Sequence, residues 1–218
     1  RYRVQNPARV VPDERGFSRA AATIARAGTP AVGACLAAVD RLASPSGSVT
    51  VDRVEGVATD AVSTVYEETR PDRIHVPRET AYLEWRFANP RWETATYVAR
   101  REGEPAATIV VGTERLGDAT VARVLDVQPM RTDPDRASAF AAALGALVRD
   151  YARADVIEAP ANPFPRVFRR HCFLSDGAAP FDRFATPTMH AVRPLSDDVD
   201  GALGRDVLDP DDWLLLLG

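Results

Sequence analysis

The 218-residue chain is 45% hydrophobic and 27% charged, enough for one well-buried core with an appended segment. It holds no apolar run near the roughly 18 to 20 residues that span a bilayer, so the expectation is a soluble globular chain. The formal net charge is −4, with 27 basic residues, all arginine, against 31 acidic ones. That balance argues against a general nucleic-acid binder, which needs a basic face to meet phosphate. The 2 cysteines, Cys35 and Cys172, lie far apart and outside any CxxC pattern. They suggest neither a zinc site nor a disulfide scaffold and fit a reducing, cytoplasmic compartment.

The chain starts at Arg1, inside an apolar-alternating piece (1–11) that reads as a strand, as expected of a fragment of something longer. A turn over 12–16 leads to two Ala-rich helical segments, 17–27 and 30–43, whose small-residue faces suit a connector better than an independent core. Pro45, Ser46 and Gly47 break the pattern. Residues 1–47 are therefore read as the end of a preceding domain plus a helical connector, 48–195 as the main domain, and 196–218 as an acidic tail with a terminal Trp/Leu segment.

Val49, Val51 and Val54 open a strand, and Val57, Val62, Val65 and Tyr66 have the spacing of a short amphipathic helix that Pro71 limits. A second helix is expected over 78–87, stopped by Asn89 and Pro90. A hairpin follows, with strands 95–101 and 106–112 about a turn at 102–105, and then a strand over 120–127. Ala137, Phe140, Leu144, Leu147, Val148 and Tyr151 fall on one 3.6-residue face, with Asp133 as N-cap and Pro134 at the first helical position. Strand 156–159, a short basic helix over 163–173 and a last strand over 184–192 complete the domain. The pattern is that of a mixed α/β (α+β) fold.

The stretch Arg78-Glu79-Thr80-Ala81-Tyr82-Leu83-Glu84-Trp85-Arg86-Phe87, with Asn89-Pro90 and Tyr97-Val98-Ala99, resembles archaeal and bacterial GNAT-type N-acetyltransferases. The resemblance spans about 49–217, including Asp212-Trp213 and the leucines behind it. It implies a largely antiparallel twisted sheet flanked by helices. It also implies a tandem, Fem-like arrangement in which a preceding GNAT-like half is the partner. Acetyl-CoA is then the expected cofactor, with no metal, an amine-bearing acceptor and no nucleic acid.

In that family a glycine-rich loop at a helix start binds the coenzyme's pyrophosphate through backbone N–H groups. The corresponding stretch, 128–136, has no glycine, and it places Asp133 and Asp135 beside the expected phosphates. Val127, Met130, Arg131, Arg136, Ser138 and Asn162 are the candidate coenzyme contacts, with the two arginines and the Ser138 hydroxyl facing phosphate. An ordinary capped helix with solvated arginines is the alternative. Asn162 matches the family asparagine, but Phe168 stands where a proton-donating tyrosine is usual and cannot donate, and Cys172 replaces a glycine. Losing a general acid costs on the order of 10² to 10⁴ in rate.

Tyr82, Trp85 and Arg86 are candidates to line an acceptor groove by stacking and carboxylate binding, or else they belong to a packed helix. Glu84 and Asp126 are the candidate bases, Asp126 because it interrupts an apolar strand. Arg166, Arg169 and Arg170 form a basic patch that suits a phosphate-bearing donor or a solvated helix face. His171 beside Cys172 is read as structural, since adjacent helical residues point about 100° apart, and His75 and His190 lack metal-ligand spacing. Trp213 and its leucines are read as docking on the chain's own core. Three functions stay open: acetyl transfer from acetyl-CoA to an amine, a non-catalytic GNAT-like half supporting an active partner, and Fem-like aminoacyl or peptidyl transfer.

Overall fold

A computed structural model describes residues 1–10, 19–43, 48–90, 92–175, 177, 206 and 208–214. The turn expected over 12–16, the strand over 184–192, His190 and most of the acidic tail lie outside the described residues. One six-stranded sheet has the order β1 (Tyr2–Val4), β6 (Val156–Glu158), β5 (Ala119–Gln128), β4 (Glu104–Leu116), β3 (Glu93–Arg101), β2 (Val49–Glu55). Every neighbouring pair is antiparallel except β5 with β6. The mixed, largely antiparallel fold class is as expected.

The central strands are buried on both faces, as in a sheet covered from both sides. On one face α5 (Ala137–Asp150) lays Phe140, Leu144 and Leu147 onto Tyr97, Ile109 and Val111. On the other face α3 (Thr59–Glu68) and α4 (Thr80–Phe87) close over Val110 and Leu125 with Val62 and Leu83. Glu102 and Gly103, with φ 54 and 90, form the tight turn between β3 and β4, since positive φ at both central residues matches the twist of the flanking strands. The ribbon of β4 and β5 runs past Gly112 to a second turn at Gly117-Asp118, longer than the apolar pattern suggested, and Glu114 there meets Arg123 at 3.4 Å. Gly112 is required where it stands: a Cβ there would lie 2.7 Å from Leu125 Cδ1 and 2.8 Å from the Trp92 ring.

The N-terminal residues differ most from expectation. The strand is only Tyr2–Val4, because Asn6-Pro7 starts a short helix, α1 (Pro7–Val10), with proline at the position where its missing N–H costs nothing. The two Ala-rich segments form a single helix, α2 (Arg19–Ala43), which runs through Pro30. A proline there forfeits one backbone bond to the preceding turn while the rest of the ladder continues. β1 is the end strand of the sheet, paired with β6 on one side and bridged on the other by Leu174, whose N–H donates to the Tyr2 carbonyl at 2.8 Å. At the other end of the chain Trp213 bridges Ile74, and the Leu214 N–H donates to the Ile74 carbonyl at 2.9 Å, so this segment docks on its own domain.

Candidate functional site

The site is set by the point where β5 and β6 part. Their parallel pairing covers Val121 to Arg123 against Val156 to Glu158. β5 then runs on to Gln128 paired with β4 alone. Val111 faces Val124 and Val110 faces Asp126, so Leu125 is an extra residue, a bulge on β5. Bulges leave backbone groups unpaired and redirect side chains. Here the freed Leu125 carbonyl accepts from Arg86 Nη2 at 3.2 Å, and Arg86 Nη1 donates to the Tyr82 hydroxyl at 3.0 Å.

Residues on and just before α4 assemble round this bulge. Arg78, only 2% exposed, donates through Nε to Asp126 Oδ2 at 2.5 Å and also to the Val76 carbonyl. Its guanidinium lies 5.5 Å from the Tyr82 ring centre. Tyr82 is therefore held between Arg78 and Arg86, with Trp85 beside it at 5.9 Å and 74% exposed. Gln128 Nε2 donates to Asp126 Oδ1 at 2.9 Å. Gln128 Oε1 and Thr108 Oγ1, cross-strand neighbours in the β4–β5 ladder, are buried without a hydrogen-bond partner.

Of the residues expected on the acceptor side, Tyr82, Arg86 and Asp126 come together and Trp85 borders them. Glu84 lies on the exposed side of α4. Asp126 is 1% exposed and has both oxygens engaged, so it is the buried counter-ion of Arg78. Sequence reasoning missed Arg78 as a member of the site, although it heads the distinctive stretch. It also missed Gln128, Thr108 and the bulge. An acid and an amide interrupting an apolar strand at Asp126 and Gln128 were the available signal.

The opposite rim is the loop after β5. Asp133 caps the helix as expected: its Oδ1 accepts from the Asp135 N–H at 2.9 Å, and Pro134 begins a 3₁₀ turn leading into α5. Arg136 donates to Glu68 at 2.6 Å and to the Ala106 carbonyl at 3.1 Å. The Ser138 hydroxyl accepts from Arg101 Nη2 at 2.9 Å. Arg131 and Asn162 are exposed, whereas Val127 and Met130 are sealed in the core. A cavity of about 370 Å³ opens beside this loop, lined by Glu68, Glu104, Asp133 and Asp135 with Arg101 and Arg136. Phe168 is fully buried, edge-on to Phe140 at 5.5 Å and to Phe173 at 5.2 Å.

These residues do not fit the pyrophosphate of acetyl-CoA. The loop offers no glycine for close approach, Arg136 is already neutralised by Glu68, and four carboxylates line the cavity that a dianion would have to enter. No step can be derived through that group.

Helix α6 (Pro165–Arg170) is anchored at its far end by a buried cluster. Arg3 donates to both Asp40 oxygens at 2.7 and 2.6 Å and to the His171 carbonyl at 2.7 Å. His171 Nδ1 donates to Asp40 at 3.0 Å. Burial alone would raise the Asp40 pKa, but hydrogen bonds from Arg3 and His171 outweigh it and hold the carboxyl below its ordinary range. For His171 burial wins over Asp40 and lowers the imidazole. His75 Nδ1 faces the Arg73 carbonyl at 2.6 Å, so its Nε2 accepts from the hydroxyl of buried Tyr66 at 2.9 Å. Among the described residues no cluster of His, Cys, Asp or Glu is arranged to hold a metal ion, and no helix is long and apolar enough to cross a membrane.

No family model matches the chain, and no curated protein matches it. Among the solved structures that resemble parts of it are two acetyltransferases. One is a GCN5-related N-acetyltransferase from Anabaena variabilis ATCC 29413, at 14% identity and TM-score 0.40 over 55% of this chain. This chain covers only 30% of that protein's length. The other is an aminoglycoside acetyltransferase, HMB0005, from an uncultured soil metagenomic sample, at 13% identity and TM-score 0.37 over 69% of this chain and 100% of that one. Likenesses of this size carry no argument about activity.

Proposed function

We propose that this chain is an acyltransferase-type domain of the GNAT kind that serves as the acceptor-holding half of a longer, tandem enzyme moving an acyl group onto an amine. The carrying observation is the convergence of Arg78, Tyr82 and Arg86 on the bulged end of β5, with Trp85 exposed beside them. An aromatic face next to fixed guanidinium groups suits a small acceptor bearing an amine and a carboxylate or hydroxyls. The donor chemistry then belongs to a preceding GNAT-like half, because the loop after β5 and Phe168 lack the groups that acetyl-CoA needs. Two free cysteines accord with a cytoplasmic protein.

The test is transfer of labelled acetyl groups by the longer protein to a panel of amines (amino sugars, polyamines and short peptides), with Arg86→Ala beside it. A charged hydrogen-bonding side chain contributes about 1.5–3 kcal/mol, so Arg86→Ala is expected to lower kcat/KM by roughly tenfold to a hundredfold. Unchanged kcat/KM in a folded Arg86→Ala protein would refute the acceptor role.

A second reading is acetyl transfer from acetyl-CoA by this domain itself. It is favoured by Arg131, Arg166, Arg169 and Arg170, which are exposed and pair with no acid among the described residues. In that case the isolated domain transfers acetyl groups unaided and Phe168→Tyr raises its turnover; under the first reading neither happens.

A further inference from the structure

Phe164 lies in the segment after β6, is tied to the loop after β5 through Thr132, and is only 2% exposed. Its ring stacks on Phe140 with centroids 4.5 Å apart, and Phe168 meets Phe140 edge-on at 5.5 Å. Val127 and Met130, at and just beyond the free end of β5, belong to the same buried cluster. The Phe164 backbone is left-handed, with φ 57 and ψ 50, a conformation that a bulky L-residue rarely adopts. The Phe164 N–H donates to Thr132 Oγ1 at 3.1 Å, tying it to the acidic loop. Such a conformation persists only where its surroundings over-determine it. Here those surroundings are the aromatic stack and the Thr132 bond.

Building on the reading above, we infer that Phe164, with Phe140 and Phe168 behind it, is a wedge that closes this chain's own donor groove. No acyl carrier enters between β5 and β6 while the ring is stacked. The carboxylates of the adjoining loop turn away polyphosphate separately. Donor exclusion thus has an apolar lock at Phe164 and an electrostatic one at Asp133 and Asp135, joined through Thr132.

Two probes separate the locks: acetyl-CoA, and S-acetylpantetheine, which has the same thioester arm without phosphates. Calorimetry of the full chain is expected to show saturable binding of neither. Phe164→Ala is expected to bind S-acetylpantetheine at least about tenfold more tightly than the parent and still to reject acetyl-CoA. Thr132→Val, which frees the Phe164 N–H and leaves the rings in place, is expected to shift affinity the same way by less. If Phe164→Ala does not fold by circular dichroism, Thr132→Val decides, tighter S-acetylpantetheine binding than the parent supporting the wedge and no gain overturning it. Saturable acetyl-CoA binding by the parent, or folded variants no better than the parent, would overturn the wedge. The acceptor reading is checked independently, with no donor present, by the amine-induced change in tryptophan fluorescence of the parent that is lost in Trp85→Phe.

Discussion

Where α5 covers β3 to β5 the buried side chains are apolar or aromatic, from Tyr97 and Ile109 to Phe140 and Leu147, and the buried Arg3–Asp40–His171 cluster stands apart at the β1 end of that face. The side under α3 and α4 has a small apolar cluster of Val62, Leu83, Val110 and Leu125, and beside it buries Arg78, Thr108, Asp126 and Gln128. The first kind of surface gains free energy simply by leaving water. The second must recover a desolvation cost through geometry, and a buried ion pair is often no better than apolar residues of the same shape. A chain that nevertheless keeps Arg78 against Asp126, and leaves Gln128 Oε1 and Thr108 Oγ1 without partners, spends stability at the place where the proposed acceptor side chains gather. The α5 face carries the fold and the α3–α4 face carries the proposed site.

The sharpest way to break that contrast is to remove one charge. Asp126→Ala strands the Arg78 guanidinium and is expected to cost about 3–5 kcal/mol in urea unfolding, comparable to the about 3–5 kcal/mol expected of Phe140→Ala on the other face. The two then diverge. Arg78→Met with Asp126→Leu should regain most of the loss while abolishing the Trp85 response to amines. A double variant as unstable as Asp126→Ala would show that the pair is itself a main support of the fold.

A smaller effect separates the sheet from its N-terminal anchor. Burial lowers the His171 pKa from 6.5. Below about pH 6.5 the unfolded chain therefore takes up a proton before the folded one does, and stability must fall as pH drops toward the folded value. Asp40, lowered from 3.8, contributes in the same sense at more acid pH. Urea midpoints should decline as pH falls below about 7, and His171→Gln should flatten that decline. A decline unaltered in His171→Gln would place the titrating group elsewhere. The smallest expected effect is at Trp85, 74% exposed. Trp85→Ala should change stability by no more than about 0.5 kcal/mol and still weaken amine binding, which a purely structural tryptophan would not do.

Much of the apolar face was legible in the sequence. The periodicity of Phe140, Leu144, Leu147 and Val148, with Asp133-Pro134 in front, specified α5 and its cap, and the turn at Glu102-Gly103 marked the first hairpin. These are local signals, carried by residues within a turn or two of one another. The site was less legible because its contacts are long-range: Arg78 reaches Asp126 across 48 positions and Arg86 reaches Leu125 across 39. A bulge at Leu125 shifts which side chains face α4, and no alternation pattern announces it. Phe168 was recognisable as a side chain that cannot donate a proton. Phe164, whose left-handed backbone and stacking on Phe140 complete the wedge, gave no signal, since nothing in Asn162-Pro163-Phe164-Pro165 dictates positive φ at a phenylalanine. The placement of β1 against β6 follows from tertiary pairing that three residues cannot encode alone.

The central claim is that the working surface is the α4 side of the β5 end and that the coenzyme side is closed. Backbone amide NMR of the chain, titrated first with acetyl-CoA and then with the amine that best perturbs Trp85, tests it in one sample. Acetyl-CoA is expected to leave the amides of Met130 to Ser138 and Asn162 to Phe168 unmoved, and the amine is expected to shift those of Tyr82 to Phe87 and Leu125. Saturable shifts of the 130–138 loop on adding acetyl-CoA, with α4 silent to the amine, would contradict it.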